Sequence, residues 1–184
     1  MPYQPGLMFE HGLDVPKGWF EPSALDKDAK LSADVAFTLP AGRVVHLNAA
    51  GEFEPGIGAT DMAIFALQAS NDYDVSNPGT TASGLFMHQA IAPTGKMSGL
   101  VATGAYEIQS TEFDSSQTYA PGDLLTAPTG NTLGDANTAG VLTNAAVAQY
   151  DDPVCGVVAN GAFKNAHGVN VLDFWPVYLP GAAT

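Results

Sequence analysis

Apolar residues occur in short runs, which is the pattern of a β-sheet protein. Between Tyr106 and Gln109, hydrophobic and polar residues alternate, as in a strand with one buried and one solvated face. The run from Met62 to Leu67 is apolar on both faces, which predicts a strand between two layers. Further strands are predicted at 35–39, 43–47, 123–127, 154–159 and 169–179. Twenty glycines and thirteen prolines interrupt nearly every interval long enough for a four-turn helix.

The predicted fold class is therefore all-β and mainly antiparallel. A β-sandwich, a jelly-roll-like fold and a small barrel all fit this pattern, with at most one or two short helices. The closing run from Val169 to Leu179 is apolar at nearly every position, so it is expected to run through the middle of the core. Pro176 is expected to confine the end of that strand to an edge or a bulge.

Two segments share one plan of turns and strands. In residues 119–162, Pro121 and Gly122 supply a turn, a short strand follows, and an apolar strand at 154–159 returns beside it. In residues 40–68, Ala41 and Gly42 open the segment, and the apolar run at 62–67 returns. These segments predict one β supersecondary unit used twice within a single domain, residues 35–184.

Residues 1–34 differ from the rest and predict an extended N-terminal arm. Prolines are frequent there, and no hydrophobic period is sustained. Ser23 followed by Asp26 is a weak capping box, which predicts one short helix over 23–30. The aromatic residues of the arm are expected to dock on this domain or on a neighbour, and they are the candidate interface residues Tyr3, Phe9, Trp19 and Phe20.

Length and charge narrow the classes of function. The 184 residues fit one domain, and 6 basic against 19 acidic residues give a net charge of −13. Such a chain lacks the cations that neutralise phosphates, so direct binding to DNA or RNA is not expected. No apolar run is long enough to span a bilayer, and the first residues lack the pattern of a secretory signal, so synthesis in a cytosol-like compartment is expected.

Residues capable of chemistry are few and stand apart. Cys155 is the single cysteine, and its apolar neighbours predict a buried hydrophobe. The four histidines occur singly, without the spacing of metal sites, and His46 is predicted to be a half-buried strand residue. Asp173 interrupts an apolar strand and is expected to need a hydrogen-bonding partner, either a backbone N–H or Arg43. We therefore expect no catalytic residue, metal or cofactor.

A sequence of turns and strands in the second half carries a family resemblance. Tyr119 is followed by Ala-Pro-Gly-Asp-Leu-Leu-Thr, then by Val-Cys-Gly-Val-Val at 154–158, and finally by Val-Leu-Asp-Phe-Trp-Pro-Val-Tyr-Leu-Pro at 171–180. This order resembles the head decoration (cement) proteins of tailed bacteriophages, which use similar opening, return and aromatic closing strands. The resemblance covers mainly residues 40–68 and 119–180 and leaves about 70–115 unmatched.

The resemblance implies a β-rich virion protein without enzymatic activity. It implies binding to the major capsid protein on the outer capsid surface, as a homo-oligomer for which a trimer is expected, after synthesis in the host cytoplasm. Nucleic-acid and membrane binding are not expected. Two alternatives stay open: a carbohydrate-binding β-sandwich module, in which Trp19, Tyr73, Tyr119 and Tyr150 stack on sugars, and an enzyme of the cupin or hydrolase type.

Overall fold

The computed structural model describes residues 13–17, 26–57, 62–67, 70, 97–104, 106–128, 136–145, 153–166 and 168–180. These residues contain strands and turns and no α-helix. The strands are β1 (Leu13–Lys17), β2 (Asp26–Ala29), β3 (Val44–Leu47), β4 (Phe53–Pro55), β5 (Ile64–Ala66), β6 (Met97–Val101), β7 (Glu107–Ser110), β8 (Leu124–Leu125), β9 (Gly156–Lys164) and β10 (Asn170–Trp175).

The strands form two antiparallel sheets, which confirms the predicted all-β fold class. Sheet I has the order β1-β7-β10-β9-β8, and sheet II has the order β2-β6-β5-β3-β4. The apolar strand β10 lies in the centre of sheet I, as its sequence predicts, and it ends one residue before Pro176. Proline has no N–H to donate, so a central strand ends there.

The two sheets pack face to face as a β-sandwich. Phe65 of sheet II and Phe174 of sheet I are both fully buried, and their ring centroids lie 5.4 Å apart. Around this pair, aliphatic side chains from both sheets form the main core: Val44, Leu100, Ile108, Leu125, Val158 and Leu172. Burying each large side chain contributes about 1.5–3 kcal/mol, so this shared layer stabilises the sandwich most.

Sheet II is also buried on its other face. Phe53, Ile64 and Met97 lie there in a second cluster, with Phe37 and Leu39 packed against them from the chain before β3. Both faces of β5 are therefore covered, as the apolar run at 62–67 predicts. The strand predicted at 35–39 is wrong, because these residues cover the second cluster as irregular chain and pair with no strand among the described residues.

A pair of hydrogen bonds holds β5 against the start of the first repeated segment. Gly42 has a positive φ of 88° in the turn before β3. Its N–H donates to the Ala66 carbonyl at 2.7 Å, and the Ala66 N–H donates to the Arg43 carbonyl at 2.9 Å. Val44 then pairs with Phe65. The turn therefore sets the register of the first strand pair.

The second repeated segment uses the same hydrogen-bond pattern. Gly122 has a φ of 93°, its N–H donates to the Val158 carbonyl, and the Val158 N–H donates to the Asp123 carbonyl, both at 2.9 Å. Leu124 then pairs with Val157, which repeats the register of the first segment. We call this arrangement the turn-glycine clamp, and the described residues contain one in each sheet.

The segment predicted as an arm contributes two strands. β1 pairs with β7 at one side of sheet I, and β2 pairs with β6 at one side of sheet II. The helix predicted over 23–30 is wrong at 26–29, because those residues hydrogen-bond to β6 as a strand. This longer-range pairing overrides a weak local capping signal.

Two glycines with equal backbone strain give a matched test of close packing. Gly140 (φ 76°) and Gly51 (φ 75°) both adopt the left-handed conformation. An added Cβ at Gly140 would lie 2.6 Å from the Val44 carbonyl oxygen, whereas at Gly51 it meets nothing within 4 Å. We expect Gly51→Ala to cost about 1 kcal/mol of unfolding free energy, and Gly140→Ala about 1–3 kcal/mol more. Equal losses in urea unfolding of the two variants would contradict the packing at Gly140.

Candidate interaction surface

Arg43 serves as a structural link in the interior. It is 7% exposed, its Nε donates to Glu112 Oε2 at 2.9 Å, and its Nη1 donates to the Ala139 carbonyl at 2.9 Å. Its guanidinium also lies 5.5 Å from the centre of the Phe37 ring. The expectation that Arg43 satisfies Asp173 is wrong, because the Arg43 hydrogen bonds go to Glu112 and Ala139, and Asp173 Oδ2 accepts from the Asn160 side chain.

The candidate histidine and cysteine also have structural surroundings. His46 is half-buried on β3, with Nδ1 3.1 Å from the Gly56 carbonyl and Nε2 3.9 Å from Glu54 Oε2. Cys155 is completely buried, and its thiol donates to the Leu125 carbonyl at 3.5 Å. Burial raises the pKa of the Cys155 thiol well above its ordinary value, so the reactive thiolate is suppressed. Both predictions, a half-buried strand histidine and a buried cysteine, are confirmed.

Two carboxylates meet on the outer face of sheet I. Asn160 Nδ2 donates to Asp173 Oδ2 at 2.7 Å and lies 3.3 Å from Glu107 Oε1. Asn160 belongs to an irregularity in β9, where the register against β10 shifts. Glu107 and Asp173 are each only 3% exposed, so the amide braces neighbouring strands and offers no carboxylate to a dissolved substrate. Among the described residues, no group of three His, Cys, Asp or Glu side chains is placed to hold a metal.

The hairpin that joins β9 and β10 has a well-defined turn. The Asn165 N–H donates to the Val169 carbonyl, and the Gly168 N–H donates to the Asn165 carbonyl, both at 2.9 Å. The Asn165 side chain also accepts from the Val169 N–H at 3.0 Å. Gly168 has a φ of 77°, which is the conformation that a three-residue hairpin loop needs at this position.

The end of this hairpin extends beyond the strands beside it. β7 pairs with β10 only from Leu172 to Phe174, and β8 pairs with β9 only at Gly156 and Val157. Residues 162–166 and 168–170, which we call the hairpin tip, therefore continue as a two-stranded ribbon. Its exposed side chains include two large hydrophobic ones, Phe163 (38% exposed) and Val169 (45% exposed).

Three other exposed hydrophobic side chains lie at the opposite end of β10. We call Met62, Trp175 and Leu179 the Trp175 end. Backbone hydrogen bonds connect their surroundings: Ala102 N–H to the Ala63 carbonyl, and Gly104 N–H to the Pro176 carbonyl. The five steps from Asn170 to Trp175 separate the two groups by about 17 Å. The described part of the sandwich thus presents two separate apolar contact regions.

The interface residues predicted from the sequence are outside the described residues. This applies to Tyr3, Phe9, Trp19 and Phe20, and among the proposed sugar-stacking residues it also applies to Tyr73 and Tyr150. Tyr119 is described and is buried, so it does not offer a ring for stacking on a sugar.

The exposed residues at both ends of β10 were not identified from the sequence. A Gly-containing three-residue loop between strands was a usable signal for the hairpin. No periodic pattern distinguishes an exposed Trp175 from the buried Phe174 beside it, because both belong to one continuous apolar run.

No protein-family model, curated protein or solved structure matches the chain. In the described residues, no helix has the length and hydrophobicity needed to cross a membrane.

Removing Arg43 tests its role as a link. Arg43→Met leaves Glu112 and the Ala139 carbonyl without their donor, so we expect a loss of about 2–4 kcal/mol in the free energy of unfolding. Glu112→Gln is the control, because it retains an acceptor for the Arg43 Nε. In a double-mutant cycle measured by urea unfolding, the losses in unfolding free energy from Arg43→Met and Glu112→Gln should not add up to the loss of the double variant. Additive losses would contradict direct coupling.

Alkaline conditions test the buried Tyr119 hydroxyl. It donates to the Asp114 carbonyl at 2.9 Å and lies 3.3 Å from the Leu142 carbonyl oxygen. Burial, and secondarily the Asp114 charge, raise the pKa of Tyr119 to about 12. Unfolded tyrosine ionises near pH ~10, so the unfolded state loses its proton first and the stability from this group falls as pH rises from about 10 to 12.

Urea midpoints measured between pH 8 and 12 should therefore decline less steeply for Tyr119→Phe than for the unsubstituted protein. Titrating lysines contribute to both curves and cancel in the comparison. Parallel curves would show that this hydroxyl is not the source of the decline.

Proposed function

We propose that this chain is a virion structural protein that binds the outer surface of a tailed-phage capsid and stabilises the shell. The observation that carries the proposal is the Trp175 end, an exposed apolar group on a rigid sandwich. Exposed large hydrophobic side chains at one end of a domain are typical of protein–protein contact sites. The order of turns and strands that resembles head decoration proteins supports a capsid as the partner.

The chemistry of the Trp175 end suits such a contact. Tryptophan is enriched among the residues that contribute most to protein interfaces, and Trp175 is 39% exposed. Met62 and Leu179 are also exposed, and methionine adapts to irregular partner surfaces. Its attachment to the central strand of sheet I reduces the ordering cost of binding.

Stabilisation of a shell follows from mass action. A protein that binds neighbouring subunits of an assembled capsid, and binds separated subunits weakly, shifts the equilibrium towards the assembled state. The net charge of −13 favours a basic patch on the major capsid protein as the contact. The protein acts on the virion surface as a homo-oligomer, with a trimer matching local three-fold positions, and needs no cofactor, nucleic acid or membrane.

A second contact is proposed for the aromatic residues near the N-terminus. Trp19 and Phe20 are the expected anchors, and Tyr3 and Phe9 are further candidates. Removing residues 1–20 would also remove β1 from sheet I, so single substitutions of Trp19 and Phe20 test this contact without that loss.

Capsid binding tests the Trp175 end. We expect Trp175→Ser to weaken binding to empty capsids of the encoding phage about 30-fold, corresponding to a central interface residue worth about 2 kcal/mol. Trp175→Phe retains an apolar ring and should keep most of the binding. Copy number per particle after co-sedimentation is the measurement, with unfolding free energies confirming that both variants fold.

Two results would overturn this proposal. One is the absence of co-sedimentation for the unsubstituted protein, and the other is undiminished copy number for Trp175→Ser. Quenching of tryptophan fluorescence by sugars, without capsid binding, would instead favour the carbohydrate-binding alternative.

A further inference from the structure

We propose that the hairpin tip, residues 162–166 and 168–170, docks on an acidic surface of a second copy of this chain. The inference deepens the proposed function, on whose expectation of a homo-oligomer it rests, by assigning the contact between copies. Three properties of the tip carry it: its charge, its exposed apolar side chains and its open strand edge.

The charge of the hairpin is opposite to that of the remaining chain. Residues 153–172 contain no aspartate or glutamate, and they include Lys164. All nineteen acidic residues lie elsewhere in the sequence, together with only five basic ones. Lys164 is exposed at the hairpin tip. The tip is thus a basic projection that a second copy, with its many carboxylates, attracts electrostatically.

The exposed apolar side chains of the tip lie on one face. Phe163 pairs directly with Val171 across the hairpin, and Val169 lies two residues before Val171 on the same strand side. Phe163 and Val169 remain exposed while Val171 is buried. Docking would remove Phe163 and Val169 from water on this face. Lys164 follows Phe163 in the strand and is directed to the other face of the ribbon, so its charge and the apolar pair mark the two faces of one projection.

The strand edge of the tip is available for pairing. Hydrogen-bonded and non-hydrogen-bonded pairs alternate along an antiparallel strand pair. Because Asn165 bonds to Val169, the next hydrogen-bonded pair is Phe163 with Val171. The backbone groups of Ala162 and Lys164 then point away from β10. Among the described residues, the last backbone hydrogen bonds on this edge are those of Val158 with Gly122 and Asp123. An added strand from another copy fits such an edge.

A lysine on an edge strand can also protect against unwanted pairing. That role does not explain why Phe163 and Val169 are presented to solvent on the same ribbon. A contact between the hairpin of one copy and an acidic surface of the next joins two different surfaces of the chain. Repeating such a contact forms a closed ring when the rotation between neighbouring copies adds up to a full turn. A closed ring is compatible with the expected trimer.

Sedimentation equilibrium of the free protein, without capsids, tests the contact. We expect the unsubstituted protein to sediment as an oligomer, with a mass of at least twice the 19.0 kDa of one chain. The double variant Phe163→Ser/Val169→Ser and the variant Lys164→Glu should each raise the dissociation constant about tenfold or more. Lys30→Glu is the matched control for Lys164→Glu, since it replaces an exposed lysine away from the hairpin, and it should leave the mass unchanged.

Crosslinking identifies the second surface. Unlabelled and 15N-labelled protein are mixed and treated with a carbodiimide, which joins a lysine amine to a carboxylate in direct contact. We expect peptides that join Lys164 of one isotope to an aspartate or glutamate of the other. A monomeric protein at all concentrations, hairpin variants with unchanged mass, or an oligomer whose Lys164 crosslinks only within its own copy would each overturn the inference.

The two proposals fail separately. If the Trp175→Ser protein loses capsid binding but keeps its oligomeric mass, capsid contact and self-association use different surfaces, as proposed. If the free protein assembles through the hairpin but never binds capsids, the hairpin contact stands and the capsid proposal falls.

Discussion

The turn-glycine clamp is the constraint on which the two sheets depend. In each sheet, a glycine with positive φ donates its N–H to the returning strand, and the next residue accepts from that strand. These two bonds fix register, and a slip of one residue would turn every side chain to the opposite face of its sheet. The clamps at Gly42 and Gly122 therefore decide which side chains reach the shared core.

The two clamps present opposite faces to that core. Val44, two residues after Gly42, faces the main core, and Val45 faces the outer cluster of sheet II. In sheet I the order is reversed, because Leu125 joins the main core and Leu124 is only partly buried. The same backbone unit can therefore occur in both sheets of the sandwich only if its first strand has hydrophobic residues on both faces. Val44 and Val45 meet this condition in sheet II, and Leu124 and Leu125 meet it in sheet I.

The sequence was sufficient for the fold class but not for several local features. Turn residues and short apolar runs predicted the all-β fold class, with a β-sandwich as one of three architectures, and they predicted the central position of β10 and the burial of Cys155. They did not reveal that 26–29 would form a strand, because its partner β6 lies about seventy residues away. The hydrogen-bonding choice of Arg43 and the exposure of Phe163 and Trp175 likewise depend on long-range packing, which no local period encodes. The predicted aromatic interface near the N-terminus stays a prediction.

The location of Cys155 has a practical consequence. It is the only sulfhydryl in the sequence, and it is sealed between β8 and β9 beside the second clamp. Burial keeps this thiol from joining two folded molecules through a disulfide. Conversely, any molecule that reacts with a maleimide has opened sheet I at that clamp. The side chain is a built-in reporter of local opening, and its labelling rate would show how far assembly tightens the fold.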